Sequence, residues 1–137
     1  MTSVVLDASA VLAFVNGEPG GELVAPKLLG GLMSAVNYSE VLKKSVERGG
    51  SAQVTRLLLQ RAQIQVVAFD ERHAVEAAAL VASTQAFGLS FADRACLALG
   101  VLTNAAVFTA DQDMAKVSLP VEVIMIRNRS TTKAKKQ

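Results

Sequence analysis

Short apolar runs along the chain alternate with stretches whose apolar residues recur every three or four positions, the pattern of strands followed by helices. Ser3–Leu6 is a run rich in β-branched residues that stops at Asp7, which predicts a buried strand. Ala8–Val15 then carries Val11, Leu12 and Val15 at helical spacing and ends at Asn16-Gly17, and Glu22–Leu29 restarts a short helix. Leu32–Val36 predicts a second strand, and Tyr38–Glu47 a helix with Val41, Leu42 and Val46 on one face before Gly49-Gly50. Ser51 caps a further helix whose apolar side is Val54, Leu57, Leu58 and Leu59. Ile64–Phe69 is a third strand, Asp70–Phe87 one long alanine-rich helix closed by Gly88, and Ser90 opens a helix through Leu102. Ala105–Thr109 and Val121–Ile126 complete the strands, with a helical turn around Asp113–Val117 between them. No two strands are joined by a two-residue hairpin, so the connections are parallel and the fold class is α/β: a three-layer sandwich on a mostly parallel sheet of about five strands.

Composition narrows the classes. At 137 residues, 51% hydrophobic and 19% charged, the chain has the size and apolar content of one packed domain rather than of a disordered segment. Its longest uncharged stretches, Ala77–Ala92 and Ala95–Ala110, are too short and too interrupted by polar residues for a membrane span. The start lacks a basic region and meets Asp7 within seven residues, so no secretory signal and a cytoplasmic location are expected. One cysteine, Cys96, and one histidine, His73, cannot supply a disulfide or a usual structural zinc site. Net charge is +2, but Arg127, Arg129, Lys133, Lys135 and Lys136 follow Ile126 with no acid among them. Residues 1–126 therefore form a mildly acidic body, nine basic against twelve acidic residues, and residues 127–137 a basic tail expected to be solvated.

In a parallel sheet, chemistry gathers beyond the carboxyl ends of the strands. Asp7 and Asp111 directly follow two predicted strands, Glu40 falls in the predicted first turn of a helix after a third, and Asp93 lies in the first turn of the helix opened by Ser90. Each has a plain structural use. Asp7 could cap the next helix, Glu40 could be a surface acid, Ser90-Phe-Ala-Asp93 matches a capping box, and Asp111 could end a turn. All four nevertheless share one predicted rim, and a cluster accounts for them together. Ionised carboxylates in contact repel by about 4 kcal/mol for each close pair at an effective dielectric of 20, so such a cluster calls for a cation. An oxygen-only donor set suits Mg²⁺ or Mn²⁺ over Zn²⁺, and these ions support hydrolysis of phosphodiesters.

Leu6-Asp7-Ala8-Ser9, Ser39-Glu40-Val41-Leu42, Phe91-Ala92-Asp93-Arg94-Ala95-Cys96-Leu97-Ala98-Leu99 and Phe108-Thr109-Ala110-Asp111, in this order and spacing, closely resemble a PIN-domain ribonuclease of the VapC toxin type, over roughly residues 2–126. The resemblance implies a PIN-like fold and a Mg²⁺-dependent endoribonuclease, the toxin of a type II toxin–antitoxin pair, which dimerises and is held inactive by a small antitoxin. It assigns the acidic tetrad to Asp7, Glu40, Asp93 and Asp111 as catalytic and metal-binding residues, with Asp113 second to them. Ser9 matches the family's hydroxyl residue beside the first Asp, where it holds a metal water or phosphate; helix-start packing is its other use. Thr109 is similar, with an ordinary strand residue as its alternative. Arg94 could anchor RNA phosphate or pair with Asp93 or Glu40. His73, beside Glu71 and Arg72, reads as a surface residue, and Cys96 as a small core residue rather than a nucleophile.

Two other classes remain to be weighed: a phospho-receiver-like regulatory module, and a PIN fold that serves as a non-catalytic scaffold. A receiver wants a second acid near the first strand and a Lys at the end of the fifth; here Asp7 has no paired acid, and Arg127 follows Ile126. A scaffold would be expected to have lost one or more of the four acids, and all are present. The amphipathic stretches Glu22–Leu29 and Tyr38–Arg61 hold more apolar residues than one small sheet face needs: Leu23, Val24, Leu28, Leu29, Val41, Leu42, Val54, Leu57 and Leu58. Part of that surface is expected to take an antitoxin helix and part a second copy of the chain.

Overall fold

Val5 and Leu6 lie side by side on the first strand and, because strand side chains alternate, bury on opposite faces of the sheet. A computed structural model describes residues 3–127, so the basic tail expected over residues 127–137 lies outside the described residues except for Arg127. Five strands, β1 (Val5–Leu6), β2 (Leu32–Ser34), β3 (Gln65–Val67), β4 (Val107–Thr109) and β5 (Val123–Met125), form one sheet in the order β3-β2-β1-β4-β5. Every pairing is parallel. The central β1 pairs Val5 with both Leu32 and Val107, and Leu6 with Phe108. All carboxyl ends therefore share one rim.

Helices cover both faces. On the Leu6 side lie α1 (Ala8–Val15), α2 (Gly21–Val24), α3 (Ala35–Glu47) and α4 (Ala52–Arg61), which bury Val11, Leu12, Val24, Val41 and Leu59 with Met33 and Phe108. On the Val5 side lie α5 (Glu71–Ala79) and α7 (Phe91–Thr103), which bury Ala77, Cys96, Leu97 and Leu99 with Val107 and Met114. Each large aliphatic side chain so buried contributes about 1.5–3 kcal/mol, and the three-layer α/β sandwich follows from having a core on each side of the sheet. No helix among the described residues is long and apolar enough to cross a membrane.

Several boundaries differ from the sequence reading, each for a local reason. The second strand stops at Ser34, because the Ser34 hydroxyl accepts the Val36 N–H and starts α3 three residues earlier than periodicity predicts. Glu40 consequently sits in the second turn of α3, not the first. The long helix expected over Asp70–Phe87 breaks at Leu80, where the Leu80 N–H is shared between the Glu76 and Ala77 carbonyls and the Thr84 hydroxyl takes the Leu80 carbonyl at 2.7 Å. The break lets Leu80 enter the core, and a short α6 (Val81–Thr84) and a 3₁₀ turn complete the segment up to Gly88. Glu22–Leu29 is likewise a four-residue helix and a 3₁₀ turn, with Pro26 in the turn. Val24, Leu28 and Val41, expected on a docking surface, belong to the core.

Gly20 joins the far edge of the sheet to the loop after α1. Its φ is +94°, and a Cβ there would stand 2.5 Å from the Ile126 carbonyl oxygen. Gly17 has φ +65° with open space around it. We expect Gly20→Ala to cost about 3 kcal/mol and Gly17→Ala only about 1 kcal/mol, read as a lower urea midpoint at unchanged slope. Equal costs would show that the Gly20–Ile126 contact is not tight.

Candidate active site at the carboxyl rim

Asp7 ends β1 at the position from which it could cap α1, yet its side chain makes no capping bond. Instead, Oδ2 accepts from the Ser9 hydroxyl at 2.7 Å and from the Thr109 hydroxyl at 2.8 Å. Each hydroxyl is held in turn: Ser9 Oγ accepts the Ala110 N–H and Thr109 Oγ1 the Asp111 N–H, both at 2.9 Å. Ser9 and Thr109 thus orient Asp7, and they tie the end of β1 to the end of β4. Oδ1 of Asp7 accepts from no described residue, which leaves that oxygen for another ligand.

Asp7 is 4% exposed, and its pKa rises from 3.8 to about 6. Burial is the main cause; the two hydroxyl bonds pull the other way, and the charges of Asp93 and Glu40 push it further up. The thiol of buried Cys96 is pushed up by burial and then by Asp7, Asp93 and Glu40, which fits a core thiol beneath the three acids and not a nucleophile. The fold therefore brings Asp7, Glu40 and Asp93 into one electrostatic group.

Asp93 also does structural work. Its Oδ2 accepts the Ser90 N–H at 2.8 Å while the Ser90 hydroxyl accepts the Asp93 N–H, a complete capping box that fixes the side chain through one oxygen. Asp111 stands at the end of β4, but its charge is not among those raising Asp7; its Oδ1 accepts the Asp113 N–H at 2.9 Å in the turn that follows. Asp113 forms an exposed ion pair with Lys116 at 3.2 Å. Arg94 pairs with neither Asp93 nor Glu40. Its Nη1 donates to the Leu89 carbonyl at 3.0 Å, and it lines a cavity of about 260 Å³ with Phe69, Ala77 and Phe91 toward α5. His73 is buried rather than on the surface, because it shares the inward face of α5 with Ala77; its ring meets Phe69 edge-on at 6.0 Å.

Asn37 escaped the sequence reading. It is fully buried in the first turn of α3, and its Nδ2 donates to the Ala92 carbonyl at 3.0 Å. A polar residue three positions before Glu40, hence on the same helix face, was the available signal.

The donor chemistry fits a hard divalent cation: carboxylate oxygens only, one of them free on Asp7, in a group whose mutual repulsion a cation relieves. Among the described residues no three carboxylate, imidazole or thiol groups stand close enough to hold one ion directly. That suits an ion such as Mg²⁺, which keeps several waters and uses one or two carboxylates.

The sequence model of the PIN domain matches residues 4–119. The chain belongs to the PIN domain family. That family is in general one of nucleases. No curated protein matches the chain. This PIN domain is similar in fold to a chain of a toxin–antitoxin complex from Klebsiella pneumoniae, with a TM-score of 0.69 at 20% identity over 88% of this chain and 99% of that one. It is also similar to a chain of DNA-bound VapBC from Salmonella typhimurium (TM-score 0.68, 12% identity, 93% and 100% covered). FitAcB from Neisseria gonorrhoeae gives a TM-score of 0.65 at 18% identity, with 90% and 97% covered. At these identities the likeness is one of fold.

The raised pKa of Asp7 has a stability consequence. The fold favours protonated Asp7, so that stabilisation is complete below pH 4 and lost as pH rises through 6. In metal-free buffer, Asp7→Asn should exceed the wild type in stability by up to about 3 kcal/mol above pH 6, with the gain gone below pH 4. Thermal unfolding across pH 3.5–8 checks the sign; a variant less stable at pH 8 than at pH 4, relative to wild type, contradicts it.

Proposed function

We propose that this PIN domain is a Mg²⁺-dependent endoribonuclease, with Mn²⁺ as a substitute, and that it acts as the toxin of a type II toxin–antitoxin pair. The observation that carries the reading is the placement of Asp7. Its carboxylate is withdrawn from helix capping, gripped through one oxygen by Ser9 and Thr109, and buried near enough to Asp93 and Glu40 for their charges to push its pKa up. A scaffold has no use for a buried acid held against two others at a cost in stability.

Asp7 would hold the ion directly, with Asp93 and Glu40 reaching it themselves or through the waters of its shell, and Asp111 and Asp113 would supply carboxylates at the neighbouring strand end. When bound, Mg²⁺ supplies Lewis acidity toward a phosphate oxygen and activates water for attack. The chain's own residues position what reacts. Ser9 and Thr109 keep Asp7 in one rotamer, Ser90 does the same for Asp93, and burial on both sheet faces prevents the rim from relaxing its charges apart. Purified protein should cleave RNA with Mg²⁺ or Mn²⁺, leave 5′-phosphate and 3′-hydroxyl ends, and stop in EDTA. Asp7→Asn and Asp93→Asn should lower kcat by a factor of about 100 or more while the fold is kept. Cleavage that persists in chelator, or in folded Asp7→Asn, contradicts the reading.

The partners follow from the family resemblance and from the surface. The similar structures are toxin–antitoxin complexes, and we carry that partner class to this chain. Val54, Leu57 and Leu58 are exposed along α4, beside a cavity of about 290 Å³ lined by Tyr38, Arg56, Leu59, Gln60, Ile64 and Val66. An amphipathic antitoxin helix fits this strip, and an Arg from the antitoxin would pair with the acidic rim. A second copy of the chain is the other expected partner. Because Leu57 is 56% exposed, Leu57→Asp should leave the fold intact and weaken the antitoxin complex about 100-fold by calorimetry. Neutralising the basic residues of the tail should change it less. Equal affinity of wild type and Leu57→Asp excludes α4 as the docking strip without touching the nuclease assignment.

A further inference from the structure

Asn37 makes the one hydrogen bond between α3 and α7 among the described residues. Only the amide nitrogen of a carboxamide can donate to a carbonyl, so the bond to Ala92 fixes the orientation of the group and leaves Oδ1 buried with no described donor. The fold does not need this bond for the backbone of α7. The Ala92 carbonyl already accepts from the Cys96 N–H in the ladder of α7, and a leucine would fill the same space without burying an orphan acceptor. A polar side chain kept in the core on those terms does something an apolar one cannot: it holds the first turns of two helices at hydrogen-bond distance. Ala92 immediately precedes Asp93, and Glu40 lies one helical turn beyond Asn37 on the same face.

We infer that Asn37 is a positioning residue that sets the separation of Glu40 and Asp93, and through it the affinity of the acidic rim for a divalent cation. The inference rests on the proposed reading of the rim as a metal-dependent nuclease site. It goes beyond that reading in assigning a role to a residue that touches neither the ion nor RNA. Supporting residues of this kind typically alter metal affinity by a factor of about 10–100 when lost.

The test is calorimetry of Mn²⁺ binding to RNA-free protein, with RNA cleavage measured alongside. Asn37→Leu should unfold at or above the wild-type temperature, since the orphan acceptor is gone, yet bind Mn²⁺ about 10- to 100-fold more weakly. Its kcat should fall at unchanged KM for RNA, and excess Mn²⁺ should recover part of it. Asn37→Ser, too short to reach Ala92, should weaken Mn²⁺ in the same way and replaces the leucine variant should that one not fold. Folded Asn37 variants with wild-type Mn²⁺ affinity, whatever their stability, overturn the positioning role; if Asp93→Asn loses Mn²⁺ in the same experiment, the nuclease reading stands. Wild-type protein that binds no Mn²⁺, or Asp93→Asn that binds it normally, overturns both.

Discussion

The Ser9 and Thr109 hydroxyls both donate to Asp7 Oδ2, so a single carboxylate oxygen joins the ends of β1 and β4 at the middle of the sheet. The Ala110 and Asp111 amides complete the arrangement by donating to those hydroxyls, which leaves no rotamer of Asp7 free without breaking two bonds. The other rim residues are placed relative to this fixed point. Asp93 is pinned by its own capping box on α7, Glu40 is carried by α3, and the Asn37–Ala92 bond ties those two helices together.

Such a rim is electrostatically unfavourable when metal-free. Burial and two like charges hold Asp7 well above the ordinary carboxylate range, and the two hydroxyls recover only part of the cost. The protein retains this tension where it has cheaper choices, since an asparagine at position 7 would keep the hydroxyl bonds through its carbonyl. Stability given up at one point of a fold is the usual mark of a functional site. On the proposed reading the ligand that relieves the tension is a cation, of the hard kind that oxygen donors favour.

The alternation of strands and helices was legible because the strands are short, mostly apolar runs and the longer helices carry an apolar stripe. Caps written in the sequence, Ser51 and the Ser90/Asp93 box, fall where expected. The errors share a cause, namely local patterns overridden by tertiary contacts. Alanine-rich periodicity through Leu80 hides a break at which Leu80 packs into the core, and the polar neighbours Glu71 and Arg72 hide that His73 turns inward. At the rim, adjacency to strand ends pointed to Asp7 and Asp111, and the helix start to Asp93. How near these acids stand depends on how α3 and α7 pack, which one-dimensional spacing does not encode. Hence Arg94 turned toward α5 and Asn37 went unnoticed, while Asp111 stands at its strand end with one oxygen accepting from its own turn.

The central claim is that Asp7, Asp93 and Glu40 form a site for a hard divalent cation, with the free oxygen of Asp7 as its innermost ligand. Anomalous diffraction at the manganese edge from crystals grown with Mn²⁺ tests it most directly. The account predicts a peak at about 2.1 Å from Asp7 Oδ1, near the Mg²⁺–oxygen distance, with Asp93 or Glu40 reaching it directly or through water. A peak only at other carboxylates, such as the exposed Asp113 pair, or no peak at the rim at saturating Mn²⁺, would contradict it.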